Sequence, residues 1–338
     1  MDKLVSVITP TYNYGHLIHR LLDSVMNQTY DDIEMFVIDD GSTDNTKGVV
    51  EPYIENFAKA GKKLQYIYQE NLGLASAINT GLRNINGEYL VWPDADDWYN
   101  TDTAIADLVE VFEKSPDSVG SVRGMQYCRN EKTLKIIGKR GIEDKAYHKN
   151  MFEQALLQKS DWWVNPGSIM IRTKHLFCYY PNKEIFSPHH AQNGALLLPI
   201  LYDFDCITIN KYIYNVIVSK KSDSRKRHSY SELIKRYGRS RKMLTETLRV
   251  IKNMPKTEYD KLVKRHMLRL DIICAKLAFA YKKKADFISY YRAISENDPE
   301  ATKKFKLKVF FSKIPFGYDI HNMLAKVKGF PKKIFLKY

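Results

Sequence analysis

The stretch Gly87–Asp97 reads GEYLVWPDADD. Its first half, Glu88–Trp92, is a short apolar run closed by Pro93, the pattern of a buried strand. Its second half places three carboxylates, Asp94, Asp96 and Asp97, at that strand's carboxyl end. Like charges ~4 Å apart repel by ~4 kcal/mol at an effective dielectric near 20, so a fully ionised cluster calls for relief. A divalent cation supplies it, and oxygen-only ligands select Mg2+ or Mn2+. The competing reading is capping, with Asp96 or Asp97 starting a helix and the other acids solvated.

Outward from this strand, strands alternate with helices. Val5–Thr9 is a buried strand closed by Pro10, and Leu17–Gln28 has helical spacing. Ile33–Ile38 is a second buried strand, ended by Asp39-Asp40-Gly41, and Ser42 or Asp44 can cap a helix starting near Thr46. Leu64–Gln69 and Glu88–Trp92 follow as strands, Ser76–Arg83 and Asp102–Lys114 as helices. This is the rhythm of βαβ units on a mostly parallel sheet flanked by helices. Such sheets bind ligands off the carboxyl ends of their strands. The loops Pro10–Gly15, Asp39–Asp44 and Pro93–Trp98 start at such ends and are expected to meet at one crevice. There, Asp39 or Asp40 can accept from a nucleobase N–H or a ribose hydroxyl, or merely form an Asx turn. Tyr12 offers a stacking ring, or a half-buried packing residue.

Val119–Cys128 and Lys135–Gly138 read as further strands, and Trp162–Arg172 and Cys206–Val218 as strand-containing segments that close the domain. Past about Ser222 the character changes. Ser231–Asn253 and Lys256–Lys284 are long, basic and helical in period, Asp286–Glu296 is a further candidate helix, and the tail mixes Phe, Ile and Leu with Lys. We therefore expect a domain over residues 1–225 and a basic helical region over 226–338.

The 338 residues are 44% hydrophobic and 27% charged, which excludes wholesale disorder. Cys128, Cys178, Cys206 and Cys274 lie far apart with no CxxC, against a disulfide scaffold or a structural zinc site and in keeping with a reducing compartment. The apolar stretch before Pro10 is too short for a signal-peptide core, and no run approaches the roughly 18 apolar residues of a membrane span. A cytoplasmic location, or a peripheral one on the cytoplasmic face of a membrane, is expected. Charge is divided unevenly. Residues 1–120 hold 8 Lys+Arg and 20 Asp+Glu (−12), and residues 121–338 hold the other 45 and 19 (+26), which together give +14. From Lys211 onward there are 33 basic and 11 acidic residues. The acidic part suits a divalent cation. The basic part suits a polyanion or an anionic membrane, or is a set of solvated helix faces. Without an RRM, zinc or helix-turn-helix signature, nucleic acid is not the expected partner.

Five stretches in this order resemble the family 2 glycosyltransferases, which have the GT-A nucleotide-sugar fold: VSVITPTYN (Val5–Asn13), VIDDGSTDNT (Val37–Thr46), NLGLASAINTGL (Asn71–Leu82), GEYLVWPDADD (Gly87–Asp97) and NPGSIMIR (Asn165–Arg172). The resemblance runs from Val5 to about Ser224. It implies that Pro10, Tyr12 and Asp40 line a uridine pocket, with Asp39 in support and Asn71 and Gly73 beside the nucleoside. Asp94 and Asp96 become the DxD pair, Asp96 ligating the metal and Asp94 facing the sugar or ribose. Gly167 and Ser168 fall on the acceptor side, with Trp162 and Trp163 as sugar-stacking or core-packing rings.

This sequence departs from the family pattern in three places. Ala77-Ile78-Asn79 stands where many members have Ala-Arg-Asn, removing a positive charge near the diphosphate. Gln192-Asn193, within HHAQNGALLLPIL (His189–Leu201), stands where a Glu-Asp pair usually carries the catalytic base. Neither amide takes a proton at neutral pH, although a related subgroup shares this Gln-Asn. His190, His189, Asp161 and Glu184 are the substitute bases, the histidines having the better-matched pKa. Ser222-Asp223-Ser224 stands where relatives place a His between serines, leaving Asp223 as a candidate metal ligand or a surface turn. The implied reaction is metal-dependent, inverting sugar transfer from a nucleoside-diphosphate donor, UDP by family frequency, to a hydroxyl of a carbohydrate or lipid-linked acceptor. Cell-surface polysaccharide or glycolipid assembly is the implied setting. The basic C-terminal third, with Phe310, Phe311, Ile314, Phe316, Ile334, Phe335 and Leu336, fits an anionic leaflet or packs on the catalytic domain. A catalytically silent nucleotide-sugar-binding relative and a basic nucleic-acid-binding protein are the alternatives. A sugar-nucleotide pyrophosphorylase would need a Gly-rich, Arg/Lys-bearing loop after the first strand, and Pro10–Gly15 is not one.

Overall fold

The computed structural model describes residues 3–141, 147–148, 151–157, 165–186, 192–219, 228–305, 308–309 and 312. The elements in chain order are β1 (Val5–Thr11), α1 (His19–Met26), β2 (Ile33–Asp40), α2 (Thr46–Lys59), β3 (Lys63–Gln69), α3 (Leu74–Asn84), β4 (Tyr89–Val91), β5 (Trp98–Tyr99), α4 (Ala104–Glu113), β6 (Val119–Asn130), β7 (Ile136–Arg140), β8 (Tyr147–His148), α5 (Met151–Leu157), β9 (Ile169–Arg172), α6 (Thr173–Tyr179), α7 (Gln192–Asp203), β10 (Asp205–Val218), α8 (Tyr230–Arg249), α9 (Lys256–Ala280), α10 (Lys284–Asn297) and α11 (Pro299–Thr302). One sheet runs in the order β3-β2-β1-β4-β9-β6-β10-β5, with β7 paired to β6 and β8 to β10.

β1 and β2 are buried at every residue, as their unbroken apolar runs require when helices cover both faces of a parallel sheet. They pair in parallel, β2 with β3 and β1 with β4 likewise, and the long β6–β10 ladder is parallel too. β9 enters antiparallel between β4 and β6. α1 turns Leu21, Leu22 and Val25 inward, and α4 turns Ile105, Leu108, Val109 and Phe112 into the same core.

A buried carboxylate registers β4 on β1. Glu34, 6% exposed, accepts at one oxygen from Ser6 Oγ (2.6 Å), Asn86 N (2.7 Å) and Gly87 N (3.2 Å). It thereby ties β1, β2 and the turn entering β4.

Contacts divide the chain into two compact units. One holds residues 1–226 and 243–253, the other 227–242 and 254–338, so α8 contributes to both. The second unit has its own core, with Phe279, Phe287, Ile294 and Phe305 buried between α9, α10 and the segment after α11. The helix expected over Lys256–Lys284 ends at Ala280 instead. Lys282 adopts φ +58°, Lys282 N bonds Phe279 O (3.1 Å) and Lys283 N bonds Ala278 O (2.8 Å). This is a Schellman termination made without glycine, so no sequence signal announced it. Among the described residues, no helix is long and apolar enough to cross a membrane.

Glu34→Leu leaves the Ser6 hydroxyl and Asn86 N without their acceptor, Gly87 N keeping Ser6 Oγ (2.9 Å), and is expected to lower unfolding free energy by about 2–3 kcal/mol. Glu34→Gln keeps a carbonyl oxygen for the same three donors and should lose about 1 kcal/mol or less. Urea unfolding of the two variants measures the difference.

Candidate active site

The carboxyl ends of β1 and β2 are interlocked by side chains from their loops. Asn13 adopts φ +60°, its Oδ1 accepts from Thr43 N (2.7 Å) and Asp44 N (3.2 Å), and its N donates to Ser42 Oγ (2.8 Å). Asn13 thus fixes the backbone beneath Tyr12, whose ring is 45% exposed beyond the buried Pro10 and Thr11. Asp39 accepts from Ser42 N (2.8 Å) and from the Tyr66 hydroxyl (2.6 Å). Burial, and then Asp39 itself, push the Tyr66 phenol well above its usual range.

Asp40 accepts from Gln69 Nε2 (2.8 Å), Leu72 N (3.0 Å) and Gly73 N (2.9 Å), pinning the turn that enters α3. Gly41 is required beside it. Its φ is +83°, and a Cβ there would lie 2.8 Å from Asn71 N. Pro10, Tyr12, Asp39, Asp40, Asn71 and Gly73 are thereby gathered at one end of the sheet. Asp39 and Asp40 are buried and carry the loops through the bonds they accept.

The acidic cluster divides into two kinds of carboxylate. Asp97 is 3% exposed and accepts from Ile217 N (2.7 Å) and Asn165 Nδ2 (3.0 Å). It is a strut joining the loop after β4 to β10 and to the turn before β9. Asp94 and Asp96 remain partly exposed. Burial, then the charge of Asp96, push Asp94 up to about 7. Burial, then Asp96 and Asp94, raise Asp97 well above the usual carboxylate range. The capping reading fails, because β5 follows directly and α4 begins only at Ala104. Among the described residues, no three His, Cys, Asp or Glu side chains are grouped to hold a metal. The donor pair itself suits a hard cation: two partly exposed carboxylates in mutual repulsion, with coordination positions left for a phosphate ligand.

The acceptor-side readings fare differently. Trp92, 1% exposed, donates its indole N–H to Asn193 Oδ1 (2.9 Å) on the first turn of α7. Asn193 therefore holds the end of β4 immediately before Pro93-Asp94, a contact 101 positions apart that no sequence signal revealed. Gln192 is buried beside it. Gly167 and Ser168 are buried, and Gly167 lies under the Tyr214 ring, which a Cβ would meet at 2.1 Å. Ile78 is buried, and Asn79 bonds both Ile185 O (3.1 Å) and Ile185 N (2.9 Å). Glu184 is exposed. Trp98, directly after the acids, has Arg20 at 5.7 Å and Arg129 at 5.8 Å from its ring centroid, cations the sequence reading did not single out. Asp161, Trp162, Trp163, His189, His190 and Asp223 lie outside the described residues.

A mostly parallel sheet flanked by helices offers a ligand site off the carboxyl ends of its strands, where these acids stand, and comparison with known proteins gives the family. Residues 6–178 match the family model for Glycosyl transferase family 2. The chain is 40% identical to glycosyltransferase GlyA of Streptococcus pneumoniae over 231 residues, 58% of this chain and 32% of GlyA. It is 29% identical to GlyG of the same organism over 197 residues, 57% of this chain and 62% of GlyG. The chain thus spans less than two thirds of these relatives' length. Among solved structures, Staphylococcus aureus TarS residues 1–349 with UDP-GlcNAc superposes with a TM-score of 0.63 at 17% identity, covering 96% of this chain and 92% of that one. Mannosyltransferase PcManGT of Pyrobaculum calidifontis, with GDP-Man and Mn2+, gives 0.54 at 17% identity, covering 98% and 89%. These likenesses are of fold. The chain belongs to glycosyl transferase family 2 and has the GT-A fold followed by a helical C-terminal region. The family match leaves the nucleic-acid-binding alternative unfavoured.

Two outcomes are expected. A carboxyl raised from 3.8 to about 7 keeps in the fold a proton that the unfolded chain has released, so its contribution to stability falls as pH rises between those values and is flat above. In chelator, the melting temperature of the parent should therefore fall, relative to Asp94→Asn, from pH 4 to 7. Separately, Asn193→Leu strands a buried indole N–H and should cost about 1–3 kcal/mol, while Asn193→Asp retains an acceptor and should cost less. Denaturant unfolding followed by tryptophan fluorescence reads both variants.

Proposed function

We propose that this glycosyltransferase moves a sugar, with inversion, from a nucleoside-diphosphate donor, UDP being the expected nucleotide, to a hydroxyl of a carbohydrate or lipid-linked acceptor. The setting we propose is cell-surface polysaccharide or glycolipid assembly. The observation that carries this is the pair Asp94 and Asp96, partly exposed at the end of β4, beside the β1 and β2 loops that present Tyr12, Asp39 and Asp40. TarS with UDP-GlcNAc or UDP and PcManGT with GDP-Man and Mn2+ support the donor class.

Asp96, with Asp94, would hold Mg2+ or Mn2+, and Asp223 is a further candidate. Such an ion supplies Lewis acidity toward the diphosphate leaving group. The chain's own side chains do the rest. Tyr12 offers its ring to the base, and Asp40, with Asp39 behind it, offers remaining lone pairs to the base or ribose. Pro10, Asn71 and Gly73 shape the nucleoside's surroundings. The Asp97 strut and the Trp92–Asn193 bond hold the Asp94–Asp96 loop rigid from both ends. Asn193 is committed to the indole, and Gln192 is an amide, so proton removal from the acceptor falls to another group. His190 and Asp161 are the candidates, with Gln192 contributing a hydrogen bond rather than a base. We assign the transfer chemistry to residues 1–225, and to the basic region 226–338 attachment to an anionic membrane surface.

A panel of nucleotide sugars with Mn2+ or Mg2+, read as thermal stabilisation and then as product formation, identifies the donor. Asp96→Asn is expected to reduce transfer by about 100-fold or more, with the fold unchanged by circular dichroism. Unchanged activity in that variant would exclude Asp96 as the ligand.

A further inference from the structure

The hairpin of β6 and β7 is a cationic, aliphatic element of the first compact unit. Ile136 and Ile137 are 46% and 55% exposed, although they are consecutive strand residues and so point to opposite faces. Lys132, Lys135, Lys139 and Arg140 around them are all exposed. The single acid of the turn, Glu131, accepts from Ser219 Oγ (2.7 Å).

The hairpin is well built. Asn130 Oδ1 accepts from Lys132 N and Thr133 N at 3.0 Å each, and Arg129 Nη1 donates to Leu134 O (2.9 Å). Tyr127 stacks on Tyr212 with ring centroids 4.4 Å apart, and Lys139 Nζ lies 5.1 Å from the Tyr212 centroid. A rigid element loses little entropy on docking.

Its position follows from the sheet. β4 is antiparallel to β9 and β9 to β6, so β4 and β6 run in the same direction. Ser121 and Leu90 both pair with Ile171 and are level with each other. The turn after Asn130 therefore lies roughly 30 Å further along the strand, at about 3.3 Å per residue. It projects from the end of the sheet that carries Asp94 and Asp96. It stands on the far side of β4 from β1, β2 and β3.

We infer that this hairpin docks on the surface of an anionic lipid bilayer. Cations alone would suit any polyanion. Two exposed isoleucines among them suit acyl chains beneath charged headgroups, each nearby Lys or Arg adding attraction to an anionic leaflet. A strand-adding peptide is disfavoured, because lysines along an edge strand oppose further pairing. The contact is independent of the proposed donor chemistry. Its benefit, holding the mouth of the site over a lipid-linked acceptor, rests on that reading.

The test uses the full chain with phosphatidylcholine vesicles, with and without phosphatidylglycerol, in a sedimentation assay. Lys132→Gln/Lys135→Gln should weaken binding to the anionic vesicles by about 10-fold or more. Ile136→Ser/Ile137→Ser should weaken it by about 5-fold. Melting temperature and donor hydrolysis in solution should be unchanged in both. If no variant hydrolyses donor and neither does the parent, the transferase reading fails while the vesicle result stands. Anionic-vesicle binding that is absent in the parent, or unaltered in both variants, overturns the inference. So does a loss confined to the lysine variant and matched on soluble polyphosphate, which would make the hairpin a reader of soluble polyanions.

Discussion

The repulsion among Asp94, Asp96 and Asp97 is the constraint around which the site is arranged. Asp97 receives a backbone and an amide donor, yet its burial and its two neighbours still hold its carboxyl well above the usual range. Asp94 is displaced to about 7 by the same two causes, burial and the charge of Asp96. Asp97, tied to β10 and to the turn before β9, holds in place the loop that carries the other two.

The loops opposite follow the same economy of acceptors. Asp40 and Asn13 take backbone N–H groups from a neighbouring loop and Asp39 takes one from its own, so these segments are fixed by buried or half-buried polar contacts. Loops held this way can keep Tyr12 exposed without leaving it mobile. The cost is that these carboxylates are largely spoken for, and recognition by them must use the lone pairs that remain.

The strands that carry the motifs were legible because each is a short apolar run ended by Pro10, Asp39-Asp40-Gly41 or Pro93, features set by local chemistry. The antiparallel entry of β9, the stop at Lys282 and the Trp92–Asn193 bond were not. Each depends on a partner or a backbone conformation that residue type alone does not signal. The sequence showed three acids at a strand end, but only the fold separates the buried strut Asp97 from the two that stay partly exposed. Capping was a fair alternative from spacing and fails because a strand, not a helix, comes next.

The Gln192-Asn193 pair has a structural duty of its own. An oxygen acceptor at position 193 is needed to satisfy the indole of a tryptophan buried at the root of the acidic loop. An aspartate would accept that hydrogen bond equally well, but would bring a further negative charge to the flank of a loop that already carries three acids. Asparagine meets the structural need without the charge. The amide at 193 thus serves the indole, which accords with the proposal that the base lies elsewhere.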